Sequence, residues 1–206
     1  MSDSIGILCR GQSMALAEKD FKELDEIIIV NTFFKEIEMP FVQEILKNKK
    51  VTHMCCRETA SILTKDLYKK FNIENIILNV YQPEFKHISI VRKILHSQGL
   101  QSKPIPDLMK KYEQKGGGFP TTGILSVVYA CKVLEKKNIH IAGMDFYKSP
   151  YLIHQKPTIH QIRKGERMVN YIKDFIKESQ GTNFYFSSNF NLNLSCKNYY
   201  HQAGDV

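Results

Sequence analysis

Residues 27–32 read "IIIVNT". Ile27, Ile28, Ile29 and Val30 are β-branched in succession, and the polar pair Asn31-Thr32 follows at once. β-Branched side chains fit the pleated backbone of a strand. A strand with one wet face alternates apolar with polar residues. This one does not alternate, so both of its faces must be covered, as in the centre of a parallel sheet.

Reading outward from this strand finds more of the same unit. Residues 5–9 (IGILC) read as a strand, and 13–24 as the turn and helix after it. Residues 40–46 predict a helix that carries Pro40 in its first turn, where the missing N–H costs little. Residues 51–56 read as a strand, 58–71 as a helix with Ile62, Leu63 and Leu67 on one face, and 76–80 as a strand. Residues 139–142 and 183–186 complete the set. Buried strands separated by helices predict one doubly wound α/β domain across the 206 residues, with a mostly parallel sheet and helices on both faces. Residues 81–118 are less regular. Pro83, Pro104, Pro106 and Gly116-Gly117-Gly118 predict an inserted helical segment or lid with a mobile loop.

Composition narrows the function classes. Hydrophobic residues make up 43% of the chain, enough for a packed core. No apolar run reaches the roughly 18 residues of a membrane span. Met1-Ser2-Asp3-Ser4 lacks the basic start of a signal peptide, so a cytoplasmic protein is expected. Cys9, Cys55, Cys56, Cys131 and Cys196 show neither Cys-x-x-Cys nor zinc spacing and read as buried thiols. The net charge of +8 favours an anionic partner such as a nucleotide, a nucleic acid or an acidic membrane surface. Lys69-Lys70, Lys110-Lys111 and Lys136-Lys137 fall at expected helix ends, where lysine complements the helix dipole; solvated termini are the simplest reading. No nucleic-acid-binding motif is present, so no nucleic-acid partner is expected.

Sheets of this kind bind ligands at the carboxyl ends of their strands, where strand order reverses. After strand one comes Arg10-Gly11-Gln12-Ser13. Gly11 permits a tight turn, and Ser13 either caps the next helix, leaving N–H groups for an anion, or simply closes the turn. Asn31 either reaches a ligand hydroxyl or ends its strand. At Thr121-Thr122-Gly123 either threonine can cap the helix expected over 124–135. After the next strand, Gly143-Met144-Asp145-Phe146-Tyr147 leads to Tyr151 through Lys148, Ser149 and Pro150, a composition that predicts a surface loop with accessible phenols. His140 alternates with Ile139 and Ile141 and reads as structural. His160 stands before a helix expected over 161–177, with Met168, Val169, Ile172 and Phe175 inward, and is placed to titrate near neutral pH. No carboxylate cluster joins His154 to His160, so no metal site is expected there.

Four stretches together resemble bacterial lipooligosaccharide sialyltransferases: "SIGILCRGQSM" at 4–14, "IIIVNTFF" at 27–34, "TTGILSVVYACKVLEKKNIHIAGMDFY" at 121–147 and "HQIRKGERMVNYIKDF" at 160–175. The third is also similar to the second sialyl motif of animal sialyltransferases, and the spacing of His160 and Glu166 to their short C-terminal motif. The resemblance spans most of the chain and is concentrated in residues 119–175.

The resemblance implies a single Rossmann-like sheet of the GT-A-variant sialyltransferase kind. It implies inverting, metal-independent transfer of sialic acid from CMP-sialic acid to a glycan acceptor, with no cofactor besides that donor. It assigns donor binding to Gly11, Ser13, Asn31, Thr121, Thr122 and Gly123, phosphate hydrogen bonds to Tyr147 and Tyr151, and the general base to His160. Three positions depart from the pattern. Arg10 and Arg57 replace asparagines, and Phe119 replaces an arginine, which makes Arg10, Arg57 or Arg163 the expected substitute for the phosphate contact. Peripheral contact with the inner membrane face and self-association are compatible partners. Two alternatives stay open: transfer of another acidic sugar or a related phosphotransfer on the same fold, and a nucleotide-binding protein without catalysis.

Overall fold

The structure is a computed structural model that describes residues 2–33, 35–56, 64–79, 86–112, 120–153 and 156–203, without the side chains at 67, 74, 86–91 and 160. Its strands are β1 (Ser4–Leu8), β2 (Glu26–Val30), β3 (Lys50–Cys55), β4 (Ile73–Leu78), β5 (Ser102–Pro104), β6 (Asn138–Ala142), β7 (Asn183–Ser187) and β8 (Tyr199–Gln202). They form one eight-stranded sheet in the order β5-β4-β3-β2-β1-β6-β7-β8. Every neighbouring pair is parallel. The helices are α1 (Ala17–Asp20), α2 (Pro40–Leu46), α3 (Lys65–Lys70), α4 (Lys86–Ser97), α5 (Thr122–Lys132) and α6 (Ile159–Glu178). This is the doubly wound α/β architecture expected from the run of unalternating strands.

The two faces explain that run. Ile28 and Val30 enter one core with Ile5, Ile7, Ile139, Ile141 and the inner sides of α5 and α6. Ile27 and Ile29 enter a second core on the opposite face with Leu8, Phe21, Val42 and Ile45. Register ties the layers together: Ile7 lies opposite Ile28 on one side and Ile141 on the other. From Ile27 to Val30 both faces of β2 are therefore dry. Among the described residues no helix is long and apolar enough to cross a membrane.

Several local expectations need correction. Of the segment 81–118, the described part supplies helix α4, a 3-10 turn at Asp107–Tyr112 and the edge strand β5, which was not expected there. Residues 13–24 form a 3-10 turn and a single turn of α-helix. The helix expected over 124–135 begins at Thr122 and ends at Lys132, with Glu135 left-handed at φ 52°. α6 begins at Ile159, capped by Thr158 and Gln161 in a capping box, so His160 lies inside its first turn. Lys136 is not a solvated helix end. It is buried, with Nζ 3.0 Å from Oε2 of Glu26 and donating to the Ser2 carbonyl at 2.7 Å. Arg57, Phe119, His154 and the helical reading of residues 58–63 lie outside the described residues.

β3 carries a titratable group that no local pattern marks. His53 is buried in the second face. Its Nε2 lies 2.7 Å from the carbonyl oxygen of Asn31, which can only accept, so Nε2 carries the proton. Nδ1 then accepts from the Tyr68 hydroxyl at 2.9 Å. Burial pushes the imidazole pKa down to about 4 from 6.5, with the Asn31 contact opposing. A depressed base is neutral in the fold and protonated in the unfolded chain below 6.5. Its contribution is therefore complete above 6.5 and lost as pH falls towards 4. A span of 2.5 units at 1.36 kcal/mol each predicts a loss of about 3 kcal/mol. Urea unfolding at neutral pH and near pH 4 should show it, and His53→Gln, which cannot titrate, should flatten the profile. Identical acid slopes for the two proteins would exclude His53 as the cause.

Candidate functional site

The chain leaves β1 for β2 on one side and later returns to β6 on the other, so the strand order reverses at β1. Loops after these strands must diverge there, and a cleft opens between them. Its walls are the turn after β1, the end of β2, the start of α5 and the loop after β6. The enclosed part measures about 90 Å³. That is well below the roughly 300–1,000 Å³ of a full small-molecule pocket, so a larger ligand must lie partly across the mouth.

The floor is built from backbone. Cys9 donates to the Ala142 carbonyl and Gly11 to the Gly143 carbonyl, both at 2.8 Å. Gly143 is left-handed at φ 73°, and a Cβ there would run into the carbonyl of Cys9. Phe146 and Tyr147 follow at φ 50° and 60°, a conformation that non-glycine residues rarely adopt. Their surroundings impose it. Phe146 is buried edge-on against Phe190, and Gly165 of α6 lies so close to the Phe146 carbonyl that any side chain there would collide. The corner thereby turns Tyr147 into the wall of the cleft.

Tyr151 meets it from the same loop. A bridge to Gly11 and the hydrogen bond from Leu152 N to the Arg10 carbonyl, at 2.9 Å, fix its backbone. Gln161 in the first turn of α6 donates to the Tyr151 hydroxyl at 3.2 Å. The two phenol rings stand edge to face, 6.3 Å apart. Burial pushes both phenols above their ordinary pKa, and for Tyr147 the neighbouring Tyr151 adds to the rise. Both are therefore neutral hydrogen-bond donors near neutral pH. Cys9, also in the wall, is pushed up to about 12 by burial and by the charge of Asp145, and is no thiolate nucleophile.

Asp145 is the hub beneath the cleft. It is buried and accepts four hydrogen bonds from neutral donors: Ser13 N–H at 3.1 Å, the Ser13 hydroxyl, the Ser149 hydroxyl at 2.8 Å and the Ser188 hydroxyl at 3.1 Å. This corrects the expectation for Ser13, whose N–H and hydroxyl turn to an internal carboxylate rather than to an external anion.

The other expected residues divide. Gly11, Asn31, Thr121, Gly123, Tyr147, Tyr151 and Arg10 all line the cleft. Asn31 is left-handed at φ 53°, and its Oδ1 accepts from Cys56 N at 3.2 Å, which ties the ends of β2 and β3. Thr121 is the N-cap of α5, but its side chain makes no capping bond. Thr122 is buried and does not line the cleft; its Oγ1 accepts from Asn79 at 2.6 Å, which anchors α5 to the end of β4. Arg10 lines the cleft already paired, with Nε 2.8 Å from Oε1 of Glu36 and its guanidinium 4.7 Å above the Tyr151 ring. His160 lies on the turn of α6 that contacts Tyr151 through Gln161, its side chain outside the described residues.

Sequence reasoning missed Asp145 as a hub, and Glu36 and His53 altogether. A carboxylate three residues past the end of a buried strand, beyond Gly143, was the one available signal for Asp145. Among the described residues no group of three or more His, Cys, Asp and Glu side chains could hold a metal ion. Compared with known proteins, the chain matches no family model, no curated protein and no solved structure.

Proposed function

We propose that the protein is an inverting, metal-independent glycosyltransferase that uses a cytidine monophosphate-sugar, most concretely a sialyltransferase acting on a glycan acceptor. The observation that supports this reading is the meeting of two neutral phenols, Tyr147 and Tyr151, with the start of α5 in one cleft at the switch point. A leaving phosphate needs donors where its charge accumulates, and preorganised hydroxyls supply them. N–H groups at the start of α5 add a favourable dipole for the same anion. In the reaction, an acceptor oxygen attacks the anomeric carbon and its proton passes to His160. The bond from that carbon to the phosphate oxygen breaks, and the phosphate leaves with the electron pair. We place this activity in the cytoplasm, where the buried thiols Cys9, Cys55 and Cys131 persist as thiols.

The test is ligand-induced stabilisation. Cytidine monophosphate at 100 times its dissociation constant should add about 2.7 kcal/mol to unfolding, with or without a chelator. A shift confined to uridine or adenine nucleotides, or one abolished by chelator, would sink the assignment. One observation favours a second reading, a nucleotide-binding protein without transfer: Ser13 and Arg10 are both engaged by internal carboxylates. Slow hydrolysis of the donor sugar in the absence of acceptor would decide against it.

A further inference from the structure

Arg10 is the one cationic side chain in the described wall of the cleft. Its side chain is 10% exposed, and Nη2 is buried without a hydrogen-bond partner among the described residues. Behind it Glu36 is wholly buried, with Oε1 on Arg10 and Oε2 also buried and without a partner. A buried ion pair that leaves one donor and one acceptor unsatisfied is incomplete, because each such group carries an uncompensated desolvation cost. The exposed tenth of the Arg10 side chain is the part that an anion in the cleft can meet, and the unpartnered Oε2 is the atom that can take a proton.

We propose that binding of a phosphate-like anion to Arg10 in the cleft is coupled to uptake of a proton by Glu36. The inference rests on the reading of the cleft as a phosphate site. An arriving anion shares the guanidinium with Glu36 and places a second negative charge near it, in surroundings of low dielectric. Two anions then compete for one cation. Protonation of Oε2 removes the conflict: Glu36 keeps its Oε1 contact with Arg10 as a neutral acid, and the full positive charge faces the ligand.

The surroundings of Glu36 favour the protonated form. Burial raises its carboxyl, and Arg10 is the chief opposing influence. The other charged or titratable groups acting on it are Lys35 beside it and Tyr151 from the loop after β6. The buried residues of the neighbouring α2 are Val42, Ile45 and Leu46, all apolar. Arg10 does most to hold Glu36 ionised, with a backbone hydrogen bond and Lys35 assisting, so weakening that partner favours the proton.

The test is calorimetric titration near neutral pH, in two buffers of different ionisation enthalpy. The probes are the methyl ester of cytidine monophosphate and inorganic sulfate. Neither probe changes charge near neutral pH, so any proton taken up goes to the protein. The expected result is a binding heat that depends on the buffer, with net proton uptake, and an affinity that falls by up to about tenfold per pH unit as Glu36 ionises. Glu36→Gln should abolish both effects and bind at least as tightly as wild type. Absence of buffer dependence in the wild type, or uptake unchanged in Glu36→Gln, overturns the proposal. If Glu36→Gln does not fold, Arg10→Met decides: sulfate binding and proton uptake should vanish together, and persistence of either is contrary. Sulfate binding with uptake but no cytidine binding would refute the cytidine reading and leave the coupling standing. Cytidine binding without uptake does the reverse, and binding of neither probe refutes both.

Discussion

Asp145→Ala is expected to cost about 2–6 kcal/mol of stability, and to take the cleft with it. The wild-type carboxylate gathers Ser13, Ser149 and Ser188 from three different segments. Hydroxyls can rotate to new partners, but the Ser13 N–H is fixed by its turn and is buried. Truncation leaves that N–H and at least one hydroxyl unsatisfied, at roughly 1–3 kcal/mol each. Asp145→Asn should also destabilise, because an amide replaces one acceptor by a donor facing donors. Ser149→Ala is the control: it removes a single donor and should cost about 1 kcal/mol. Urea unfolding measures all three variants. Asp145→Ala within about 0.5 kcal/mol of wild type, the range of an inconsequential surface change, would show that the hub is redundant.

This dependence follows from how the corner is made. Phe146 and Tyr147 are held left-handed, and backbone strain of that kind persists only where the surroundings over-determine it. Asp145 is one restraint on the corner, since its carbonyl also accepts from Lys148 N at 2.8 Å. Gly165 is another, by letting α6 approach the Phe146 carbonyl. Loss of the hub should therefore appear as weakened cytidine monophosphate binding even under conditions where the fold survives.

The central strands were legible because their signal is local. Nothing but a buried strand explains Ile27 to Val30, and Pro40 opens α2 where its chemistry says it should. The edges were not legible. β5 is Ser-Lys-Pro and β8 is Tyr-Tyr-His-Gln. An edge strand pairs on one side only, tolerates proline and polar residues, and so need not carry an apolar run. The location of the cleft was legible from the topological rule, since the turns after β1, β2 and β6 do converge there. Which way each polar side chain faces was not. Ser13 and Thr122 look like residues offering hydroxyls to a ligand, yet their partners, Asp145 and Asn79, lie 132 and 43 residues away. Glu36 has no local signal at all, because its partner Arg10 is 26 residues distant. Lys136 resembles a surface lysine until Glu26 comes beside it. Long-range pairing of polar groups is set by the packed fold, which periodicity does not encode.

The base proposed for the transfer reaction sets the last expectation. His160→Ala should leave the fold and nucleotide affinity nearly unchanged, while the transfer rate falls by about 10²–10⁴, the usual contribution of general acid–base catalysis. Its place in the chain supports a role beside the cleft: α6 is capped at Thr158, and Gln161, the next residue after His160, reaches Tyr151. A base must be neutral to accept a proton. Activity should accordingly rise with pH as the ring loses its proton, and the remnant activity of His160→Ala should lose that limb of the profile. His154→Ala is the paired control, since His154 matches no motif position. If His154→Ala abolishes transfer and His160→Ala does not, the assignment is displaced by six residues along the chain. If both variants transfer normally, a histidine base is excluded for this protein. The two phenols would then act on a leaving group whose attacking partner is activated by other means, and the reading without catalysis would gain where donor hydrolysis is also absent.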